Sequence, residues 1–165
     1  MTSNATTSGH ETTPETITED PLAIENQVCF ALAVASRGVI GLYRPILEPF
    51  GLTHPQYLVM LALWQKSPRT VKDLGVQLQL EPATLSPLLK RLETTGYIRR
   101  DRSVHDERKL QVELTDEGIA LRAQALTIPP RIVERLGMNL DELTELRDVL
   151  HRVIAAVAAD DQGAR

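Results

Sequence analysis

Apolar positions recur at spacings of three and four through most of the chain, the period of helices with one buried face. Thr84, Leu85, Leu88, Leu89 and Leu92 form one such set, leaving Pro82, Ala83, Ser86, Lys90 and Arg91 mostly on other faces. Pro82 suits a first helical turn, where its missing N–H is not needed. Pro87 would remove an interior hydrogen bond, so either the first turn is kinked or the regular helix begins near Ser86. Gly96 after Thr94-Thr95 marks the helix stop. The period then changes to two: Tyr97 to Arg102 and Lys109 to Leu114 are predicted strands. In the second, Leu110, Val112 and Leu114 alternate with Lys109, Gln111 and Glu113, and Ser103 to Arg108 forms a polar, charged tip between the two strands.

Upstream, Leu22 to Phe50 predicts one long helix, apolar nearly all round from Val28 to Ala35, with a bend at Gly38, Gly41 and Pro45. Such a helix calls for burial on two sides, one against its own domain and one against a second subunit. Thr53 to Gln56 fits a capping box ahead of an apolar helix through Trp64. Thr70 to Asp73 opens a short third helix with Leu74 and Leu78 facing inward, and residues 77 to 81 turn into the helix at 82. Downstream, Thr115-Asp116-Glu117 starts a helix, with acidic side chains at the positive end of its dipole. Ile128-Pro129-Pro130 is expected to end it. Leu140, Leu143, Leu146, Leu150, Val153 and Val157 then stripe a last helix beginning near Asn139. That stripe is either intramolecular core or, paired with the first helix, a dimer interface made from both chain ends.

Charge sharpens this picture. Residues 90 to 109 hold seven basic and four acidic side chains, +3 within a chain of net charge −4. An acidic protein that gathers its cations on one helix and one hairpin is expected to aim them at a polyanion, although a charge run is equally often a solvated face. The order of elements decides it. A helix sized for the major groove followed by a basic ribbon is a winged helix-turn-helix pattern, so residues 70–95 are the expected helix-turn-helix and 97–114 the wing.

With 165 residues, 42% of them hydrophobic, one packed domain is expected from residue 22 onward. Residues 1–21, Thr/Ser-rich with four acidic and no basic side chains, are expected to form a disordered acidic tail. No apolar run reads as long enough to span a bilayer, and no signal sequence stands at Met1, pointing to a cytoplasmic protein without membrane contact. A single cysteine excludes an internal disulfide framework and a multi-cysteine metal site, and no cofactor is implied. That residue, Cys29, lies in QVCFALAV. A free cysteine is usually a small buried hydrophobe, and no Lys, Arg or His lies within one turn to stabilise a thiolate. Any activating group must come from elsewhere, with Tyr43, His54 and Tyr57 as candidate donors.

The order of these elements, with Asp106-Glu107-Arg108 in the wing and terminal dimerising helices, resembles the MarR family of bacterial transcription regulators over residues 22 to 158. Within it, ENQVCFALAVASR, LYRPIL, THPQYLVMLALW, ATLSPLLKRLE and HDERKLQVELTDEG resemble the organic hydroperoxide sensing repressors, OhrR. The resemblance implies a mainly α fold with a small β-wing. It also implies a homodimer joined through residues 22–50 and 115–158, bound to double-stranded operator DNA and repressing a peroxidase gene. An organic hydroperoxide would be the inducer and a small thiol a co-reactant. Cys29 falls on the sensing cysteine, and Tyr43 on a tyrosine that hydrogen-bonds its thiolate from the other subunit. A second tyrosine of some members is replaced here by His54, whose imidazole donates one hydrogen bond and carries a pH-dependent charge. With one cysteine, oxidation stops at sulfenic acid until a thiol caps it or excess peroxide carries it further.

For DNA contact the resemblance implies Pro82, Ala83, Thr84 and Ser86 over base edges and phosphates, and Lys90 and Arg91 on the backbone. On the wing, Arg108 would enter the minor groove, with Asp106 orienting it or another wing arginine such as Arg102. Two other functions compete. Relatives released by aromatic ligands would make Cys29 a mere pocket wall. A one-cysteine thiol peroxidase would turn over peroxide without DNA, but no phosphate loop or clustered histidines support an enzyme.

Overall fold

The computed structural model describes residues 20–102 and 110–163, with side chains through Asp101 and from Leu110 to Asp160. The expected acidic tail and the wing-tip positions Asp106 and Arg108 lie outside the described residues. The side chain of Arg102 does so too. The chain divides into two compact units at Ser36/Arg37. In the first, a 3₁₀ turn at Ile24–Asn26 precedes α1 (Val28–Leu47). The helix therefore begins six residues later than expected. Residues 20–27 instead fold back on themselves, the Gln27 side-chain amide donating to the carbonyls of Pro21 and Ala23. Val28, Phe30 and Val34 are all exposed.

The second unit begins within α1. A 3₁₀ turn at Glu48–Phe50 and Gly51, in the left-handed region at φ 64°, redirect the chain into α2 (His54–Gln65). Thr53 and Gln56 form the expected capping box, with the Thr53 N–H donating to Gln56 Oε1 at 2.8 Å. β1 (Arg69–Thr70), α3 (Val71–Leu78), α4 (Pro82–Thr94), β2 (Ile98–Arg102) and β3 (Leu110–Leu114) follow. The sheet has three antiparallel strands in the order β1-β3-β2 rather than the expected two. Leu74, Leu85, Leu89, Leu92, Ile98 and Val112 close the core beneath it together with Val59, Met60 and Leu63 of α2.

Several expectations need correction. Thr84 is exposed, because the buried stripe of α4 starts at Leu85. α4 runs unbroken through Pro87: the carbonyl left without a donor belongs to Ala83, an exposed residue that water can serve. Gly96 ends the helix as expected, at φ 87°, with Tyr97 N donating to Leu92 O. Leu110 is exposed, so the inward alternation of β3 rests on Val112 and Leu114.

α5 (Asp116–Ala125) is capped by Thr115, but Pro129-Pro130 do not terminate it. They sit in the first turn of a further helix, α6 (Ile128–Leu136), where a missing N–H costs nothing. α7 (Leu140–Gly163) is opened by Asn139 and Glu142, each side chain accepting from the other's N–H. No described side chain of α7 is buried, and Leu140, Leu146, Val153 and Val157 of its stripe are exposed. That stripe is not core within one chain. Lastly, Val28–Phe50 is long and apolar enough to cross a membrane by length and composition alone. Arg37 and Arg44 interrupt the run, but the aliphatics around them outweigh two charges.

Candidate sensor site and nucleic-acid interface

Cys29 stands in the first turn of α1 and is exposed. The other three expected sensor residues lie in the second unit, where they form one cluster. Tyr43, near the end of α1, meets His54 edge-on, ring centroids 4.9 Å apart, and Tyr57 at 5.9 Å. The turn at Glu48–Gly51 makes this possible by returning the chain so that the first turn of α2 passes alongside the end of α1. Spacing in the sequence offered no cue to it. Burial pushes the phenols of Tyr43 and Tyr57 above the usual tyrosine range, and for Tyr57 the neighbouring Tyr43 adds to the effect. Both phenols therefore keep their protons at neutral pH and remain hydrogen-bond donors. Burial holds His54 below the ordinary histidine range, so its imidazole is neutral there and offers one N–H.

The cluster continues toward the wing. Tyr57 meets Trp64 at 6.3 Å, and Trp64 Nε1 donates to Gly118 O at 2.8 Å. Gly118 packs directly on the start of the wing: a Cβ there would lie 2.1 Å from Tyr97 O. Tyr97 Oη in turn donates to Phe50 O at 2.9 Å, and Thr115 N donates to Tyr97 O at 3.1 Å. Packed rings and hydrogen bonds thus connect the Tyr43 cluster to the base of the wing through Tyr57, Trp64 and Gly118.

On the other surface, Pro82, Ala83, Thr84, Ser86, Lys90 and Arg91 are all exposed on α4. α3 and α4 are joined through Gln79, which caps α3 in the left-handed region at φ 53°. Neither Lys90 nor Arg91 has an ion-pair partner among the described residues. Other cations of the basic window are engaged. Arg100 donates to Glu93 Oε2 at 2.9 Å, and Arg99 pairs with Glu113 at 2.8 Å and Asp101 at 3.5 Å. Counting charges along the chain missed this, because a sheet register sets Arg99 opposite Glu113 and a helix end sets Glu93 beside β2. The Glu93–Arg100 pair, which ties α4 to the wing, has no signal in the sequence.

Residues 41–124 match the family model of the transcriptional regulator SarA/Rot. The chain is 39% identical over 135 residues to the organic hydroperoxide resistance transcriptional regulator of Bacillus subtilis (strain 168), covering 82% of this chain and 92% of that one. It is 41% identical over 140 residues to the HTH-type transcriptional regulator TtmR of Methylorubrum extorquens (strain PA1), covering 81% and 72%. Among solved structures, AbfR of Staphylococcus epidermidis superposes with a TM-score of 0.70 at 33% identity, covering 82% of this chain and 94% of that one. The same protein, reduced and bound to DNA, gives 0.71 at 34%, covering 82% and 93%.

Proposed function

The chain belongs to the MarR family of transcription regulators, on the branch of the organic hydroperoxide resistance regulators, and we propose that it is a repressor released from operator DNA by oxidation of Cys29. It is a DNA-binding regulator and not an enzyme. The observation that carries the redox reading is the cluster of two protonated phenols and a neutral imidazole around Tyr43. In a homodimer, with the partner's Cys29 brought to it, such a cluster supplies donors that stabilise a thiolate.

The chemistry balances with two co-reactants. The Cys29 thiolate attacks one oxygen of the hydroperoxide, the O–O bond breaks, and the alkoxide leaves as the alcohol after taking up a proton. The sulfur, oxidised by two electrons, becomes a sulfenic acid. A small thiol then displaces water and leaves a mixed disulfide. Loss of the Tyr43 hydrogen bond perturbs the cluster, and the ring and hydrogen-bond route through Trp64, Gly118 and Tyr97 carries the change to the wing. Release requires that the adduct fit the DNA-bound geometry worse than the free one.

We assign dimerisation to the exposed apolar faces of α1 (Val28, Phe30, Val34, Ile40) and α7 (Leu146, Val149, Val153, Val157), which are too extensive for a monomer in water. This gives the apolar α1 a protein partner rather than a bilayer. For DNA, the first turn of α4 is assigned to base edges and Lys90 and Arg91 to phosphates. Arg102, Asp106 and Arg108 are assigned to the wing's meeting with the duplex. The direct test traps the sulfenic acid with dimedone after one equivalent of cumene hydroperoxide and reads the mass of Cys29. The adduct should form, and about tenfold more slowly in Tyr43→Phe, for the loss of one hydrogen bond to a charged sulfur. No adduct in wild type contradicts the sensor, and equal rates contradict Tyr43.

One feature favours a second reading, release by an aromatic ligand. A groove of about 440 Å³ between α2 and α5 is lined by Tyr57, Leu61, Trp64, Arg122, Leu126 and Pro129. In that case Cys29→Ser responds to inducer as wild type does.

A further inference from the structure

Glu93 stands in the last turn of α4, and its carboxylate reaches across to β2. Oε2 accepts from Arg100 Nε at 2.9 Å and also from Nη2 of the same guanidinium, while Oε1 accepts from Arg100 N at 3.2 Å. One carboxylate thus holds both the side chain and the backbone of an edge strand. Between α4 and β2 lie only Thr95, Gly96 and Tyr97, with Gly96 in the left-handed region at φ 87°. Three residues turning on a glycine make a joint that can flex, and the clamp spans it.

The strand register sets Arg100 on the inner face of the wing. It pairs with Val112, which is fully buried, and shares its side of β2 with Ile98, which is buried too. Arg99, on the opposite side, meets Glu113 and Asp101 in solvent. An arginine turned inward and held by two arms is a strut between helix and ribbon rather than a phosphate contact. The carboxylate that holds it stands one turn from Lys90, where charge alone argues against an anion, because it repels the phosphates that α4 is assigned to meet. We propose that Glu93 is a positioning residue for DNA binding, which through Arg100 fixes the angle between α4 and the wing so that both meet one duplex; this rests on the assignment of α4 and the wing to DNA.

The test is a double-mutant cycle of duplex affinity, read by fluorescence anisotropy of the full chain on a duplex selected from a random pool. Glu93→Gln removes a negative charge near the phosphates, and electrostatics alone would tighten binding. The positioning role gives the opposite sign: Glu93→Gln should bind about tenfold more weakly, for the loss of one charge-assisted hydrogen bond. Arg100→Gln should lose as much, with the same salt slope, and the double variant should be no weaker than either single one. Gly137→Ala, strained at a turn outside both elements, should bind as wild type does, and Lys90→Ala should bind more weakly. Tighter or unchanged binding in Glu93→Gln, additive losses in the double variant, or an equal loss in Gly137→Ala overturns the proposal alone. So does a salt slope in Arg100→Gln lower than that of Glu93→Gln by about 0.9, the mark of a lost phosphate contact. Wild-type affinity in Lys90→Ala overturns the assignment of α4 to DNA, and the positioning role with it.

Discussion

Gly118→Ala places a methyl group where the start of the wing already stands. A Cβ at residue 118 would lie 2.1 Å from Tyr97 O, 3.0 Å from Tyr97 C and 3.2 Å from Leu114 Cδ2. Backbone cannot yield as a flexible side chain does, so α5 or β2 must move by about 1.3 Å to restore an ordinary separation. Four hydrogen bonds meet at this joint. Thr115 N donates to Tyr97 O at 3.1 Å, Trp64 Nε1 to Gly118 O at 2.8 Å, Thr115 Oγ1 to Gly96 O at 2.6 Å and Gly118 N to Thr115 Oγ1 at 3.0 Å. A shift of that size breaks or strains two or three of them, a loss of roughly 2–3 kcal/mol at about 1 each. Alanine's better helix propensity returns up to about 1 kcal/mol, leaving a net cost of roughly 1–3 kcal/mol. That is a large fraction of the ~5–15 kcal/mol that holds a domain together.

Urea denaturation followed by circular dichroism, at one fixed protein concentration, should show a lower midpoint at unchanged slope. Gly137→Ala is the control: its φ of 64° disfavours alanine by about 1 kcal/mol, but nothing lies within 4 Å. If Gly118→Ala is as stable as wild type, the close approach of α5 to the wing is wrong, and with it the route from Trp64 to the wing.

Three other perturbations probe the pairs and the surface. Glu93→Gln should cost about 1 kcal/mol, because the pair it breaks is only partly shielded, with Glu93 37% and Arg100 25% exposed. The Arg100 guanidinium holds the Glu93 carboxyl below its usual range, so the wild-type advantage is present above pH 4.5 and lost as pH falls through the depressed value; an advantage that persists in acid contradicts the pair. His54 acts in the same direction, at higher pH. Its folded-state affinity for protons is lowered, so the unfolded chain binds the proton more readily, and stability falls as pH drops below 6.5. Melting temperatures at pH 7.5 and 5.5 should show a smaller drop in His54→Gln, and an equal drop refutes the burial of the imidazole. Lys90→Ala should weaken binding to a duplex selected from a random pool, and reduce the salt slope by about 0.9 for each phosphate it ceases to neutralise; an unchanged slope removes Lys90 from the interface.

How much of this was legible in the chain depended on how local the cause was. Thr53–Gln56 and Thr115 announce helix starts because a cap and its partner sit within four residues. Gly96 is equally plain as a stop. Pro129-Pro130 misled because the same residue that breaks a helix interior is welcome in a first turn, and only the packing of Ile128 and Ile132 decides between them. β1 has two residues, too few for any period, and exists because β3 offers it an edge. The engagement of Arg99 and Arg100 depends on cross-strand and helix–strand neighbours. Resemblance singles out Tyr43 and His54, and donor chemistry adds Tyr57, but their meeting is a product of the turn at Glu48–Gly51.

The central claim is that Cys29 couples oxidation to DNA release. Fluorescence anisotropy of the selected duplex at fixed salt tests it most directly, before and after one equivalent of cumene hydroperoxide with a small thiol, on wild type and Cys29→Ser side by side. Wild type should let go while the serine variant stays bound. If both release the duplex, or neither does, Cys29 is not the sensor and the groove between α2 and α5 takes its place as the site of induction.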